Sequence, residues 1–325
     1  MPPASPSTAS PAALSAELPA AVAAPAPAHT APDERRGMLQ GFIGVAIFSL
    51  TLPFTRMAVA DIDPLLLTLA RALGAAVLAA CWLRRTRAPR PPRSALPGLA
   101  VVAAGCVLGF PLLSSIAMRG LPASHGAVLV GVLPLCTALC AAVRGDERPS
   151  PAFWLLALLG AGLVAGFALL QGGGGLHAAD LLMFGAVAAA AAGYAEGGRL
   201  ARTMDGVDVI GWALLLAAPP LALLLVLAVL RDPALATHLA QAGWRAWLGF
   251  AYVTVFSMFV GFVFWYRGLA LGGVARVGQV QLLQPFLTLA GAAALLGEPL
   301  TPANCGFALA VIAVVALGRR ARVRR

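Results

Sequence analysis

The sequence contains no lysine, and charged residues of either sign are scarce. All 23 basic residues are arginine, and Asp, Glu, Lys and Arg together make up 11% of the 325 residues. Hydrophobic residues make up 60%, well above the usual share in soluble domains. The apolar residues come in blocks of about twenty, which as helices are long enough to cross a hydrocarbon core of about 30 Å. The composition excludes a soluble globular fold and predicts an all-α polytopic membrane protein embedded in a lipid bilayer.

The sequence also lacks the patterns of a disulfide framework, a metal site or an enzyme. Its five cysteines all fall within apolar blocks, and an odd number in lipid-embedded helices argues against disulfides. We find no phosphate-binding glycine loop, no His/Glu metal pair and no nucleophile beside a base. These absences predict no enzymatic activity, no cofactor and no metal. The alternatives to a carrier are a passive channel and a membrane-embedded enzyme acting on lipid, which would need clustered His, Asp or Glu near an interface.

The first 37 residues show neither a signal peptide nor a span. Residues 1–37 are rich in Pro, Ala and Ser, and the first basic residue is Arg35. A secretory signal needs a positively charged start and an unbroken apolar region, and both are missing here. The composition instead predicts a disordered tail.

Ten apolar blocks follow this tail. Helix is the only open-ended structure that satisfies backbone polar groups in lipid, so we predict ten transmembrane helices. The predicted spans are 38–59, 64–83, 95–117, 124–143, 151–170, 180–198, 208–230, 246–266, 274–295 and 302–318.

The arginines predict the orientation of these spans. If the amino-terminal tail is cytoplasmic, the inner segments contain 18 of the 23 arginines and the outer segments contain only Arg119, Arg231 and Arg245. Basic residues accumulate on the cytoplasmic side of membrane proteins. Both termini are therefore predicted to be cytoplasmic. The net charge of +10 is explained by this topology, and we predict no nucleic-acid partner.

One stretch of the chain occurs twice, 151 positions apart. The earlier copy spans 128–151 and the later copy 279–302, so that Pro134 matches Pro285. A fixed internal period indicates duplication of a structural unit. The predicted divisions are a cytoplasmic tail at 1–37, a first repeat at 38–171, a second repeat at 172–318 and a basic cytoplasmic tail at 319–325. Because each repeat holds five spans, an odd number, the two must enter the membrane in opposite senses, as in many secondary transporters.

The details of the duplicated stretch resemble a known family. The helix containing Pro285, the segment Gly-Glu-Pro-Leu-Thr-Pro at 297–302 and the small-residue helix after it are similar to the end of an EamA domain, the unit of the ten-helix drug/metabolite transporter superfamily. Asp63-Pro64 leading to Arg71 resembles the start of that family's second helix, and the segment 266–270 the end of its eighth. Ser49-Leu50 departs from the family's frequent Trp-Gly.

This resemblance implies a function but no specific substrate. It implies a secondary transporter, an exporter or exchanger, which moves small metabolites, amino acids or drug-like compounds across the cell inner membrane by alternating access. The implied partner is a small-molecule substrate, and the protein is expected to be a monomer or a homodimer.

Arg71 is the first candidate for substrate binding. It lies about two turns into the second span, roughly 10 Å from its outer end. Charge inside a membrane span is costly and marks a functional hypothesis. Arg71 is either an anchor for a substrate carboxylate or a structural cation that pairs with Asp61 or Asp63.

Polar and aromatic residues in three other spans are further candidates. Gln281, Gln284 and Thr288 share one helical face and line a cavity or bond to neighbouring helices. Tyr252 and Phe256 belong to an aromatic stripe that faces either substrate or lipid. Thr51 and Thr55 flank Pro53. They are predicted either to line the cavity or to satisfy backbone groups freed by a proline kink.

The remaining candidates are acidic. Glu196 is the carboxylate within a span away from its first turn, and it is either a proton-coupling group or the partner of Arg199 three residues later. Glu147 and Glu298 each precede a helix and are predicted to cap its exposed N–H groups. Gly162 and Gly166 form a small-residue pair that predicts close helix packing.

Overall fold

A computed structural model describes residues 31–143, 148–171, 176–272, 277–320 and 323–324. Almost all of these residues are helical, as the sequence predicts. Glu147, most of the amino-terminal tail and parts of three connections lie outside the described residues. The only extended structure in the described part is a two-residue antiparallel pair, β1 (Arg148–Pro149) with β2 (Val323–Arg324), which brings the start of the fifth helix beside the carboxyl-terminal segment.

Each predicted span coincides with a helix to within a few residues, and we number these helices α1–α10. They comprise α1 (Ala31–Ser49 and Thr51–Ala58), α2 (Pro64–Thr86), α3 (Arg93–Ala95, Leu96–Val102, Ala103–Gly109 and Phe110–Gly120), α4 (Ala123–Val130 and Leu133–Val143), α5 (Pro151–Gln171), α6 (Ala178–Leu200), α7 (Gly206–Arg231), α8 (Trp244–Ala251, Tyr252–Val260 and Gly261–Gly272), α9 (Gly278–Leu283 and Gln284–Leu296) and α10 (Pro302–Arg320). A short helix, Ala234–Gln241, joins α7 to α8.

Eight of these helices, α1 to α8, are long and apolar enough to cross a membrane. The apolar parts of α9 and α10, Val280–Leu296 and Pro302–Leu317, are shorter. We name the two ends of the bundle by the orientation that the arginines predict. The outer end holds the α1–α2, α3–α4 and α9–α10 turns, and the inner end holds the α2–α3 and α6–α7 turns.

The irregular segments of the helices repeat with the period found in the sequence. Both α3 and α8 contain a wide-turn π segment, at Ala103–Gly109 and at Tyr252–Val260. The second part of α4 begins at Leu133 and that of α9 at Gln284, 151 positions later. A π segment replaces the regular hydrogen bonds of an α-helix and is rare. Its presence at matching places in both copies indicates that the duplicated unit already contained it.

Helices from the two repeats pack against each other in exchanged pairs. Helix α1 packs along α8, and its counterpart α6 packs along α3. Helix α2 packs against α7, α4 against α9, and α5 against α10. Each of these pairs joins one helix of the first repeat to one of the second, so the core lies between the repeats rather than within each.

Two glycines, one in the α3–α6 pair and one in the α1–α8 pair, illustrate how closely these helices approach. A Cβ on Gly193 of α6 would lie 2.4 Å from Sγ of Cys106 in α3, and a Cβ on Gly268 of α8 would lie 2.6 Å from the backbone nitrogen of Gly41 in α1. Side chains there would push the helices apart, as expected for small-residue packing in membranes. The sequence-based prediction for Gly162 and Gly166 is wrong, because neither has a neighbour within 4 Å of a built Cβ.

We predict that Gly193→Ala lowers the thermal stability of the protein. The added methyl group overlaps Cys106, and overpacking of this kind costs about 1–3 kcal/mol. Gly198→Ala is the matched control, because the same helix has open space at that position and alanine favours a helix by up to about 1 kcal/mol over glycine. Thermal unfolding of the detergent-solubilised variants measures both. Equal midpoints for the two would contradict the close α3–α6 contact.

Candidate functional site

A cavity lies near the middle of the bundle, between α1 to α4 on one side and α6, α8 and α9 on the other. It contains about 560 Å³ of space not filled by atoms, part of which is open to the exterior. It is lined by Phe48, Thr51, Leu52, Arg71, Cys106, Phe110, Pro111, Val130, Leu133, Ala190, Tyr194, Ser257, Met258, Phe262, Gln284 and Thr288. Both repeats therefore supply its walls, and most of its lining side chains are buried.

Arg71 supplies the positive charge of this cavity. Its side chain is 1% exposed, and its Nη2 donates a hydrogen bond to Oγ of Ser257 over 3.2 Å. Ser257 Oγ lies 2.9 Å from Oγ1 of Thr51, so three elements meet at the guanidinium. Nε and Nη1 of Arg71 are buried and have no hydrogen-bond partner among the described residues.

The acidic residues near the outer end of α2 are engaged elsewhere. Asp63 accepts hydrogen bonds from the backbone of Leu65 and from Arg119, whose Nη2 lies 3.3 Å away. Asp61 accepts from the backbone N–H of Gly243 at 2.9 Å. The structural alternative, in which Arg71 pairs with one of these aspartates, is therefore not the arrangement in this structure.

The two π segments bring matching residues to opposite walls of the cavity. Cys106 lies in the π segment of α3 and Ser257 in that of α8, 151 positions apart, and both line the cavity. Helix α2, which carries Arg71, begins after the capping residue Asp63, and its counterpart α7 begins after Asp205. Counted from these caps, Ala213 is the residue of the second repeat that corresponds to Arg71. Helices α2 and α8 therefore bring the polar Arg71 and Ser257 to the cavity, α3 brings Cys106, and no described residue of α7 is among its lining.

Helices α4 and α9 form a second contrasting pair of walls. Gln284 and Thr288 of α9 line the cavity, whereas α4 presents Val130 and Leu133 to it. Gln281 is buried but does not line the cavity. It lies in the tighter 3₁₀ segment of α9, where each residue turns the chain further than in an α-helix, so the face predicted with a regular helical period does not hold there.

The aromatic residues that line the cavity differ from the predicted stripe. Phe48, Tyr194 and Phe262 form a cluster with ring centroids 5.0–6.5 Å apart. Tyr252 and Phe256 lie outside the cavity lining, and Phe256 is 46% exposed on the bundle surface. The hydroxyl of Tyr252 donates to the backbone oxygen of Ile47 over 2.9 Å, beside the break in α1.

The threonines beside Pro53 have different surroundings. Thr51 lines the cavity and contacts Ser257. Thr55 is fully buried toward the outer end, does not line the cavity, and its Oγ1 has no hydrogen-bond partner among the residues described.

Glu196 lies at the inner end of α6, away from the cavity lining. Its side chain is buried, and its Oε1 accepts from Nε of Arg199 at 3.1 Å and from Nη2 at 2.5 Å. A Cβ at position 98 of α3 would lie 2.3 Å from the same oxygen, so Gly98 makes room for the carboxylate. Glu196 thus belongs to an ion pair wedged between α3 and α6.

Sequence reasoning missed a second buried acidic group. Nε2 of His125, at the start of α4, lies 2.8 Å from Oδ1 of Asp180 in α6, and both residues are buried. Oδ2 of Asp180 accepts from the backbone N–H of His177 over 2.9 Å, which caps α6. Residues 55 positions apart, each in the first turn of its own helix, carry no local signal that they meet.

An ion pair at the outer end holds the α3–α4 turn. Glu298 accepts hydrogen bonds of 2.8 Å from the backbone N–H groups of Ala123 and Ser124, the first residues of α4. Nε of Arg56 lies 3.5 Å from Glu298, and its Nη1 donates to the backbone oxygens of Met118 and Leu121 at the end of α3.

Each member of this pair opposes a helix dipole, with the anion at a helix start and the cation at a helix end. Glu298 therefore caps α4, and the sequence-based prediction that it caps the helix after it is wrong. Thr301, which accepts from the backbone N–H of Asn304, caps α10 instead.

A duplicated helical unit, a cavity between its two copies and apolar helices long enough to cross a bilayer define a membrane transporter. The chain matches the EamA-like transporter family twice, at residues 35–169 and 177–319, and it belongs to that family.

One relative supports this assignment, and one solved structure shares the fold. The chain is 47% identical over 284 residues to the uncharacterized transporter YdeK of Bacillus subtilis (strain 168), an alignment that covers 87% of this chain and 97% of that protein. A protein crystal structure 20% identical in sequence superposes with a TM-score of 0.59 over 88% of this chain and 98% of its own, which shows a shared fold.

Proposed function

We propose that the protein is a secondary transporter that moves a small organic solute through the central cavity by alternating access. The observation that carries this proposal is a buried, partly unpartnered arginine in a cavity built from both repeats. A charge in the core of a membrane protein is expensive, and such residues mark solute pathways. Solute sites in duplicated carriers likewise lie between the repeats, beside irregular helices.

The same proposal includes ten spans in two inverted repeats, at 38–171 and 172–318. The matching irregular segments of α3 and α8 and of α4 and α9 support the duplication. The pairing of α1 with α8 and of α6 with α3 supports a two-fold relation between the repeats. The odd number of five helices in each repeat then requires the inversion, with α9 and α10 crossing despite their shorter apolar parts.

Transport is tested with purified protein in lipid vesicles. Vesicles loaded with one solute are diluted into a labelled solute from a panel of amino acids, sugars and aromatic acids and amines. A carrier accumulates label by exchange against the loaded solute, whereas a passive channel only equilibrates it. Chemical analysis of the recovered solute distinguishes transport from a membrane-embedded enzyme. Absence of exchange for every class of solute would contradict the proposed function.

We predict cytoplasmic termini in the cell inner (plasma) membrane. A reporter that is active only outside the cytoplasm should stay silent when it is fused after Arg325, because 18 of 23 arginines then remain inside. The same reporter fused after Gln171, at the end of α5, should be active. Activity after Arg325 or silence after Gln171 would overturn the orientation and the inversion of the repeats.

We predict that Gln284→Leu weakens exchange of the true substrate at least tenfold without reducing the amount of folded protein. Gln284 and Thr288 line the cavity, whereas Leu283 is 46% exposed on the bundle surface. Leu283→Gln is therefore the matched control for folding and insertion. Cysteines placed at 284 and 288 should be protected from a water-soluble thiol reagent by substrate. Reaction without protection at both positions would move the substrate site to other helices.

We propose Glu196 as the proton-coupling group, because it is a buried carboxylate whose partner Arg199 is the charge that a bound proton would release. Glu196→Gln should abolish accumulation driven by a pH gradient and leave exchange intact. Asp180→Asn is the matched variant at the other buried carboxylate. Unchanged pH-driven uptake in Glu196→Gln would return that residue to a structural role, and a loss confined to Asp180→Asn would assign coupling to the His125 pair.

A further inference from the structure

The guanidinium of Arg71 has donors that the protein leaves unused. Arginine carries five N–H donors and no acceptor. Nη2 donates to Ser257, while Nε and Nη1 have no partner in the described part of the chain, although the side chain is 1% exposed. Buried donors are nearly always satisfied in native proteins, and an exception needs an explanation. A ligand that enters the cavity and accepts these hydrogen bonds would explain the unpartnered donors.

The charge of Arg71 is also uncompensated. None of the residues that line the cavity is Asp or Glu, and no carboxylate among the described residues lies within ion-pair distance of the guanidinium. Removing a lone ion from water costs several kcal/mol even after relaxation, and a partner of opposite sign offsets that cost. The missing partner is therefore anionic and is not supplied by the described protein.

The rest of the lining indicates the shape of that anion. Carboxylates accept from a guanidinium through two parallel hydrogen bonds in one plane, a geometry that a monatomic anion such as chloride does not use. The aromatic cluster of Phe48, Tyr194 and Phe262 and the aliphatic Val130 and Leu133 form an apolar wall to the same cavity. This wall stabilises a hydrocarbon or aromatic tail by its burial.

The residues that line the cavity also disfavour a cationic or zwitterionic solute. An ammonium group needs acceptors and is best held by a carboxylate, which the lining lacks. Gln284, Thr288 and Thr51 are neutral groups that accept or donate, and they suit polar substituents on the tail.

We propose that the cavity binds an amphiphilic organic anion with a single carboxylate, held by Arg71, and with an apolar or aromatic tail against the Phe48 cluster. Ser257 is a positioning residue, because it holds one N–H of Nη2 and leaves the second N–H of Nη2, with Nη1 or Nε beside it, as the fork for the ligand. This inference rests on the proposed transport function and names its substrate class.

Ligand binding to the purified wild-type protein tests the class directly, with phenylacetate as the probe. Its neutral amide phenylacetamide, the cation phenethylamine, the zwitterion phenylalanine, the short acid acetate and chloride are the matched comparisons. We expect phenylacetate to raise the thermal midpoint and to bind at least tenfold more tightly than any of the five. Equal binding by the amide, the amine or phenylalanine would overturn the anionic class. A rise in the thermal midpoint with chloride but not with phenylacetate would reassign Arg71 to the binding of an inorganic anion.

Variants assign the effect to Arg71. Arg71→Gln should weaken phenylacetate binding at least tenfold and remove the preference for the acid over the amide. Arg71→Lys keeps the charge but loses the planar fork, so it should weaken binding while preserving the preference for an acid. Arg119→Gln removes an arginine that pairs with Asp63 outside the cavity lining and should bind phenylacetate as the wild type does. Unchanged phenylacetate binding in Arg71→Gln would overturn the proposal.

Two further measurements keep the outcomes separate. Removing an uncompensated buried charge should leave the ligand-free Arg71→Gln protein at least as stable as the wild type, so lost binding is not confused with misfolding. If that variant does not fold, the wild-type comparison of acid with amide still decides. Exchange of phenethylamine or phenylalanine in vesicles, without exchange of phenylacetate, would contradict the substrate class and leave the proposed transport function standing.

Discussion

The structure depends on one constraint, which is that backbone polar groups leaving a regular helix cannot face lipid. An unsatisfied N–H or C=O in hydrocarbon costs several kcal/mol, so irregular backbone is tolerated only where it is buried in protein or lines a cavity. Five of the described helices are interrupted within their span, and each interruption contains or adjoins residues that line the cavity. They are Thr51 in α1, Cys106 in α3, Leu133 in α4, Ser257 in α8 and Gln284 in α9.

The second organising feature is the use of two copies of one unit for unlike tasks. Close approach of helices is retained in both copies, at Gly193 against α3 and at Gly268 against α1, because the shared frame needs it. The matching residues have diverged: Ser257 of the second repeat stands where the first has Cys106, and Ala213 of the second stands where the first has Arg71. The frame is thus shared by the two copies, whereas residues at matching positions around the cavity differ between them.

Charge is distributed so that paired groups lie toward the ends and the unpaired group lies in the middle. Arg56 with Glu298 holds the outer α3–α4 turn, Asp180 with His125 ties α6 to α4, and Glu196 pairs with Arg199 near the inner end. Arg71, between them, has no such partner in the described residues. The ion pairs stabilise one arrangement of the helices. Arg71 forms no such pair among the described residues and is the group to which the proposed anionic ligand would bind.

The sequence by itself determined which segments are helices, and its prolines indicated the breaks in α1, α4 and α9, whereas the π segments of α3 and α8 came only from the structure. Long apolar blocks admit only helix in lipid, and the prolines and the 151-residue period mark matching breaks because both are local properties of the chain. Local signals of this kind also predicted four residues that line the cavity, Arg71, Thr51, Gln284 and Thr288. Only the tertiary structure decided that Gln281 turns away in a 3₁₀ segment, that Tyr252 and Phe256 lie outside the cavity, that Glu298 caps α4, and that His125 meets Asp180. These contacts join residues distant in the chain, and the packing that brings them together depends on side-chain shape across helices, which no periodicity within one helix encodes.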